Sequence, residues 1–292
     1  MLALRDENVV ISARVRVADL PVYERLNPSI HCVLDGAEAF LLDRRRLVVD
    51  DDSYLLINGG SAYGSRIAKG REPLHTFSVH FRHGLAQEAI EALVNGNAAA
   101  LDARPGTAPV EFIEQLTPHN GIVSPALRQL MREVEDGESD PDWLEEQCAA
   151  LLARLLRRHC KIGALPDAWP AVRATARREI ERRIGRATDL MLSQYAMPLT
   201  LERIAAEACL SRFHFVRLFR AVHQVPPYAF LQRKRCSVSA RLLTSTDLPL
   251  DAVAHAVGIA NRITLFRLIR KHLRVSPRAL RAGHVEVRLR SC

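Results

Sequence analysis

The sequence predicts an α+β chain of two domains: an N-terminal antiparallel β-barrel with following helices, and a C-terminal all-α domain of two helix-turn-helix units joined by a linker helix. Three observations predict it. Residues 9–82 fall into short runs of strand-forming residues separated by turn signals, with no helical stretch between them. From Leu85 the apolar spacing changes to the helical period. Between Leu199 and Arg281 one amphipathic helix–turn–helix pattern occurs twice: Ile204-Ala205 matches Val253-Ala254 and Cys209-Leu210 matches Gly258-Ile259 at an offset of 49, and Pro227 matches Pro277 at 50.

The elements follow in order. Val9–Val17 alternates as a half-buried strand, with Val9, Ile11, Ala13, Val15 and Val17 on one face. Ile30–Leu34, Ala37–Leu42, Arg46–Val49, Ser53–Ile57 and His75–Phe81 are further strands, punctuated at Asp35-Gly36, Asp50–Asp52 and Asn58-Gly59-Gly60. Helices are expected over Leu85–Val94, Pro125–Glu135 and Asp142–His159. The third carries the stripe Leu144, Cys148, Leu151, Leu152, Leu155 and Leu156, which fits either a core face or a dimer seam. Asn97–Pro109 reads as a loop and Ile162–Pro170 as a linker, ahead of a basic helix from about Ala174 to Tyr195. The expected domains are a sensing barrel at 1–84, a helical dimerisation or support region at 85–160, a linker with the start of the basic helix at 161–185, and the repeat domain at 186–286.

Composition bounds the function. The chain has 292 residues, 48% of them hydrophobic, and a mean hydropathy of −0.05, as in an ordinary globular protein. It has no apolar run of the roughly 18 residues a membrane span requires. The first residues carry Arg5, Asp6, Glu7, Arg14, Arg16 and Asp19 in place of a secretory core, so a cytoplasmic protein is expected. Cys32, Cys148, Cys160, Cys209, Cys236 and Cys292 are scattered without a CxxC pair, which suits unpaired thiols. The net charge of +8 conceals a division: residues 1–170 hold 18 Lys+Arg and 25 Asp+Glu (−7), residues 171–292 hold 23 and 8 (+15). A basic half with its arginines on the second helix of each repeat points to duplex DNA.

In the first unit Thr200 and Ser211 are the expected helix caps, and Phe215, Leu218, Phe219 and Val222 the buried face. That leaves Ser211, Arg212, Phe213, His214 and Arg217 at the exposed start of the second helix, where a recognition helix meets base edges, with Arg220 a turn later for backbone phosphate. The second unit places Asn261, Arg262, Thr264 and Arg267 equivalently, with Arg270 and Lys271 extending the basic edge and Asn261 best read as a cap. A linker helix over Tyr228–Leu243 would be about 24 Å long, a fair fraction of the roughly 34 Å between successive major grooves on one duplex face.

Residues 188–286 resemble the DNA-binding domain of AraC/XylS-type transcription regulators. Ser211, Arg217-Leu218-Phe219, Pro227-Tyr228, Arg235 and Arg241-Leu242-Leu243 look like that family's first motif and linker helix. Thr246-Asp247-Leu248-Pro249-Leu250, Val253-Ala254, Val257-Gly258, Arg267 and Val275-Ser276-Pro277 look like the second. Ile259, Leu265, Ile269, Ser239 and the run Gln224-Val225-Pro226-Pro227 depart from the usual pattern. Upstream, Val33–Gly36, Asp51–Asn58 and Phe77–Phe81 resemble the cupin-like sensor barrel that precedes this domain. The resemblance implies a ligand-responsive activator that binds paired half-sites as a homodimer, with a small organic effector in the barrel and RNA polymerase as a further partner.

Tyr63, His75 and Phe77 are the barrel residues singled out for an effector. His31, His75, His80 and His83 lack the His-x-His set of a metal cupin, so neither metal nor other cofactor is expected. The alternative class is an enzyme carrying a DNA-binding domain, either a metal cupin or a cysteine-dependent repair protein. It requires a metal triad or a Cys beside an activating His or Arg, and the sequence shows neither.

Overall fold

The computed structural model describes residues 6–70, 72–95, 111–162 and 174–282. The chain forms two compact units, Met1–Ala174 and Thr175–Cys292. The loop expected over 97–109, the linker prolines Pro166 and Pro170, and Cys292 lie outside the described residues.

The first unit begins with eight strands: β1 (Val9–Val15), β2 (Ala18–Glu24), β3 (Ser29–Leu34), β4 (Ala37–Leu42), β5 (Arg45–Asp50), β6 (Ser53–Ile57), β7 (Ala62–Ile67) and β8 (Leu74–His80). They build two antiparallel sheets in the orders β1-β8-β3-β6 and β2-β7-β4-β5, and a short strand β9 (Leu116–Pro118) extends the first beyond β6. This is the double-sheet jelly roll, in which two Greek keys share one interior. Both β1 and β2 are edge strands, so the roll has an open side where they end the two sheets.

Strand alternation gives the first sheet two buried faces. Ile30, Cys32, Tyr54, Leu56, Phe77 and Val79 pack into one cluster with the helices α1 (Leu85–Asn95), α2 (Ser124–Glu135) and α3 (Pro141–Ile162). The opposite face carries His31, whose ring lies 5.0 Å from Phe40 and 5.4 Å from Tyr63 of the second sheet. The stripe on α3 belongs to the first of these faces. Cys148, Leu151, Leu152, Leu155 and Leu156 are all buried among the chain's own residues, so they form core and offer no dimer seam. A sheet face with no second sheet over it must be covered by an apolar helix stripe. Asp140 caps α3, its Oδ1 accepting from the Trp143 N–H at 2.9 Å.

Three strands were not anticipated: the short β9 and, within the roll itself, β2 and β7. β2 contains Pro21 and is exposed along most of its length, so it lacks the buried–exposed alternation of a half-covered strand. β7 contains Gly64, Ser65 and Arg66, a weak strand-former set. Gly64 is required there: an added Cβ would sit 2.7 Å from the Leu20 carbonyl oxygen where β2 bulges across β7 between Leu20 and Tyr23.

The second unit is helical: α4 (Ala174–Ser193), α5 (Leu201–Glu207), α6 (Arg212–His223), α7 (Pro227–Ser245), α8 (Leu250–Ala256), α9 (Arg262–Leu273) and α10 (Pro277–Arg281). Side-chain oxygens cap three of the four repeat helices: Thr200 accepts from the Arg203 N–H, Ser211 from His214 and Asn261 from Thr264. Both α6 and α9 end on a left-handed residue, Gln224 at φ 59° and Arg274 at φ 62°. The inner turns match as well, with Cys209 at φ 51° and Gly258 at φ 70°. The sequence repeat is therefore a repeat of backbone geometry.

Between the two helix-turn-helix repeats α7 runs 19 residues, about 28 Å, and three residues longer than the sequence suggested. It holds the domain together through a buried arginine. Arg235 donates from Nε to the Tyr195 carbonyl at 2.8 Å and from an η-nitrogen to the Met197 carbonyl at 3.0 Å, satisfying the chain end that follows α4.

Candidate nucleic-acid interface

The two second helices present the same face to solvent. In α6, Phe215, Leu218 and Phe219 point inward, and Arg212, Phe213, His214, Arg217 and Arg220 are exposed. In α9, Leu265, Leu268 and Ile269 point inward, and Arg262, Ile263, Thr264, Phe266, Arg267 and Arg270 are exposed, as is Lys271 beyond them. The caps Ser211 and Asn261 are exposed as well, and Asn261 Oδ1 accepts from both the Thr264 N–H and its hydroxyl. All twelve side chains singled out from the sequence are thus on two equivalent helix surfaces. A helix start with exposed arginines is the part of a helix-turn-helix that enters a major groove.

Each unit restrains its first arginine with an acid from the preceding helix. Arg212 lies 2.7 Å from Glu202, and Arg262 lies 3.8 Å from Asp251. Glu202 is held below its ordinary carboxylate value by a backbone hydrogen bond at the start of α5 and by Arg212. Glu202 and Asp251 occupy equivalent positions of α5 and α8, so this arrangement is part of the repeat. The pairs are exposed and individually weak. They place an anion where a phosphate would compete for the same guanidinium.

Sequence reasoning overlooked Ile263 and Phe266. Phe213 is 76% exposed and Ile263, two residues past the cap like Phe213, is 58% exposed. Both are apolar residues outside the inward spacing of their helix, which was the available signal. At a groove surface such side chains suit thymine methyl groups.

The jelly roll interior holds a second polar cluster. His31 Nε2 lies 3.0 Å from the Ser29 hydroxyl and 3.3 Å from the Tyr63 hydroxyl, and the His31 and His80 rings are 5.5 Å apart. The Arg25 guanidinium stacks at 4.4 Å on Tyr23 and 5.4 Å on Tyr63. Glu38 is buried and hydrogen-bonded to Ser65, its carboxyl raised by burial despite that bond. Of the three residues singled out for an effector, only Tyr63 faces this interior. His75 is turned to the helical side, 3.1 Å from Glu135 and 2.8 Å from the Ser12 hydroxyl. Phe77 packs in the helix-covered core. Residues 75 and 77 share one face of β8, and His80 with Ser78 takes the other. Among the described residues no group of three His, Cys, Asp or Glu side chains is arranged to hold a metal ion.

The histidines make the first unit acid-sensitive. Burial and the Arg25 charge hold His80 down at about 4. Burial, then His80 and Arg25, push His31 well below its ordinary value. An unfolded imidazole titrates near 6.5. Between about pH 6.5 and 4 the unfolded chain therefore takes up protons that the folded unit refuses, and stability present above 6.5 is lost as pH falls. The His80 contribution should reach roughly 3 kcal/mol across that window. Urea unfolding at pH 7 and pH 5 checks this, and His80→Gln should flatten the dependence; a first unit equally stable at both values would contradict it.

Cys32 and Cys148 in the same unit are buried thiols. Burial pushes Cys32 and Cys148 up to about 12, and Cys236 in the second unit likewise. At neutral pH these groups hold essentially no thiolate.

Comparison with known proteins bears on the helical unit. Residues 204–283 match the family described as a helix-turn-helix domain. The chain is 29% identical over 84 residues to the HTH-type transcriptional regulator AlkR of Acinetobacter baylyi, covering 29% of this chain and 28% of AlkR. It is 35% identical over 83 residues to the MmsAB operon regulatory protein of Pseudomonas aeruginosa, covering 28% and 27%. A match of 173 residues at 27% identity reaches a putative AraC-like transcription regulator of Streptomyces antibioticus and covers 58% of this chain and 54% of that one. The alignments thus span between about a quarter and about half the length of these curated relatives. The solved DNA-binding domain of AdpA, in complex with a target DNA, is 29% identical, with a TM-score of 0.34, and covers 35% of this chain and 92% of that chain. With the two matched units, their capped second helices and the linking α7 in place, residues 204–283 carry the tandem helix-turn-helix DNA-binding domain of the AraC/XylS family.

Proposed function

We infer that this protein is a sequence-specific, ligand-responsive transcription regulator that sets α6 and α9 into successive major grooves. The observation that carries this reading is the repeated exposure pattern of the two helices, each with its cap, two or more arginines and at least one apolar residue facing outward. Its similarity to transcriptional regulators such as AlkR supports it. A further relative, the RCS-specific HTH-type transcriptional activator RclR of Escherichia coli, is 28% identical over 95 residues, covering 32% of this chain and 34% of RclR, which favours activation here. The chain acts as a homodimer on paired half-sites in the cytoplasm, recruits RNA polymerase and catalyses no reaction of its own. Its first unit senses a small organic effector.

Ser211, Phe213, His214, Asn261, Ile263 and Thr264 contact bases or position the helix starts, Arg212, Arg217, Arg262 and Arg267 read guanine or adjoining phosphate, and Arg220, Arg270 and Lys271 hold phosphates. The test is selection of bound duplexes from a random library by the full chain. Against the selected site, Arg212→Ala and His214→Ala should each lose about 1–3 kcal/mol and relax particular base pairs. Arg220→Ala should instead weaken selected and random DNA alike. Equal losses on both duplexes for all three variants would overturn the division of roles, and failure to enrich any sequence would overturn the reading itself.

A further inference from the structure

The open side of the jelly roll holds a cation, Arg25, that forms no ion pair among the described residues. Arg25 follows the inward-facing Tyr23, which pairs in register with Tyr63. The buried Arg25 Nε meets no hydrogen-bond acceptor, and among the described residues no carboxylate pairs with the guanidinium. Its neighbours are the two tyrosine rings, and its charge acts on His31, His80 and the Tyr63 hydroxyl. A guanidinium desolvated on one side, stacked on aromatics and lacking an acceptor is an unfilled half of a charge-assisted pair.

Beside it the edge strands turn apolar residues toward the roll without covering them. Ile11 pairs with Ser78 and Leu20 with Ser65, both registers of the inner face, yet Ile11 is 43% and Leu20 45% exposed. The same face brings the hydroxyls of Ser29, Ser78 and Tyr63 and the two imidazoles. These neutral groups can donate hydrogen bonds but add no second positive charge, so the charge fits a monoanion better than a phosphate dianion. The buried Glu38 on the second sheet further disfavours a doubly charged ligand.

We propose that the mouth of the roll binds a small organic monocarboxylate, its carboxylate on the Arg25 guanidinium and its apolar body against Ile11 and Leu20. This assignment rests on the reading of the first unit as the sensor and supplies that sensor with a ligand class. Carboxylate binding there offsets the Arg25 charge and moves the His80 imidazole upward from about 4.

The experiment is calorimetric titration of the full chain with hexanoate, octanoate, benzoate and phenylacetate, and with hexanol and hexylamine as neutral and cationic counterparts. At least one acid should saturate stoichiometrically, with the alcohol and amine bound about 10- to 100-fold more weakly. Arg25→Gln should weaken the acid by a similar factor. Leu20→Asp, an exposed change that leaves the core alone, should do so as well, whereas Arg66→Gln, on the outer face with Asp19, should change nothing. Binding should also raise the His80 titration seen by NMR. The proposal is overturned if none of the acids binds, if hexanol binds as well as hexanoate, or if Leu20→Asp has no effect. A chain that selects DNA but binds no acid loses this site and keeps its role as a regulator. Acid binding that leaves DNA occupancy unchanged keeps the site and removes ligand-responsive regulation.

Discussion

Raising monovalent salt from about 50 to about 200 mM should weaken binding of the full chain to its selected duplex roughly a thousandfold. The exposed side chains on the two recognition helices include Arg212, Arg217, Arg220, Arg262, Arg267, Arg270 and Lys271, within a segment 171–292 of net charge +15. If about six of these neutralise phosphates, release of the condensed counterions gives a log–log slope near −5. Glu202 and Asp251 act against this, because each holds an arginine that must exchange an acid for a phosphate. Fluorescence anisotropy of a labelled duplex across a salt series measures the slope. A value near zero would mean that the basic faces do not meet the DNA backbone, and the interface would have to lie elsewhere.

The helical unit was legible because its signals are local and duplicated. Ser211 and Asn261 cap, Phe215 with Leu218 and Phe219 mark one buried stripe, and Leu265 with Leu268 and Ile269 repeat it 50 residues later. The first unit was legible only in part. β2 and β7 escaped because Pro21 and Gly64 mark a bulge that only pairing between the two strands explains. Ile11 was expected to be buried by alternation, but an edge strand at an open side leaves it partly in water. The effector residues were the least legible. Period-two alternation says that His75 and His80 lie on opposite faces, but not which face looks into the roll. That is decided by α1–α3, whose apolar stripes cover the Phe77 face and leave His31, His80 and Tyr63 inside. The stripe on α3 was open between core and dimer for the same reason: a helix face does not name what it meets.

Gly258→Ala should destabilise the second unit by about 2–5 kcal/mol, the sum of left-handed backbone strain and overpacking. Gly258 sits at φ 70° in the turn between α8 and α9, and a Cβ there would lie 2.3 Å from the Ala196 carbonyl oxygen and 2.8 Å from its carbon. Both are backbone atoms, so no rotamer change relieves the contact. Nor can the Ala196 segment withdraw freely, because Arg235 grips the carbonyls of Tyr195 and Met197 on either side of it. The strain therefore falls on the turn that aims α9, and paired-site DNA binding should fall with stability. Cys209 supplies the control within the same molecule. It occupies the equivalent turn of the first helix-turn-helix repeat at φ 51°, where glycine relieves the left-handed cost of a side chain. Cys209→Gly should accordingly stabilise the chain by about 1 kcal/mol. Urea unfolding of both variants decides the matter: a Gly258→Ala protein as stable as the parent would show that the close approach of the turn to Ala196 does not constrain the fold.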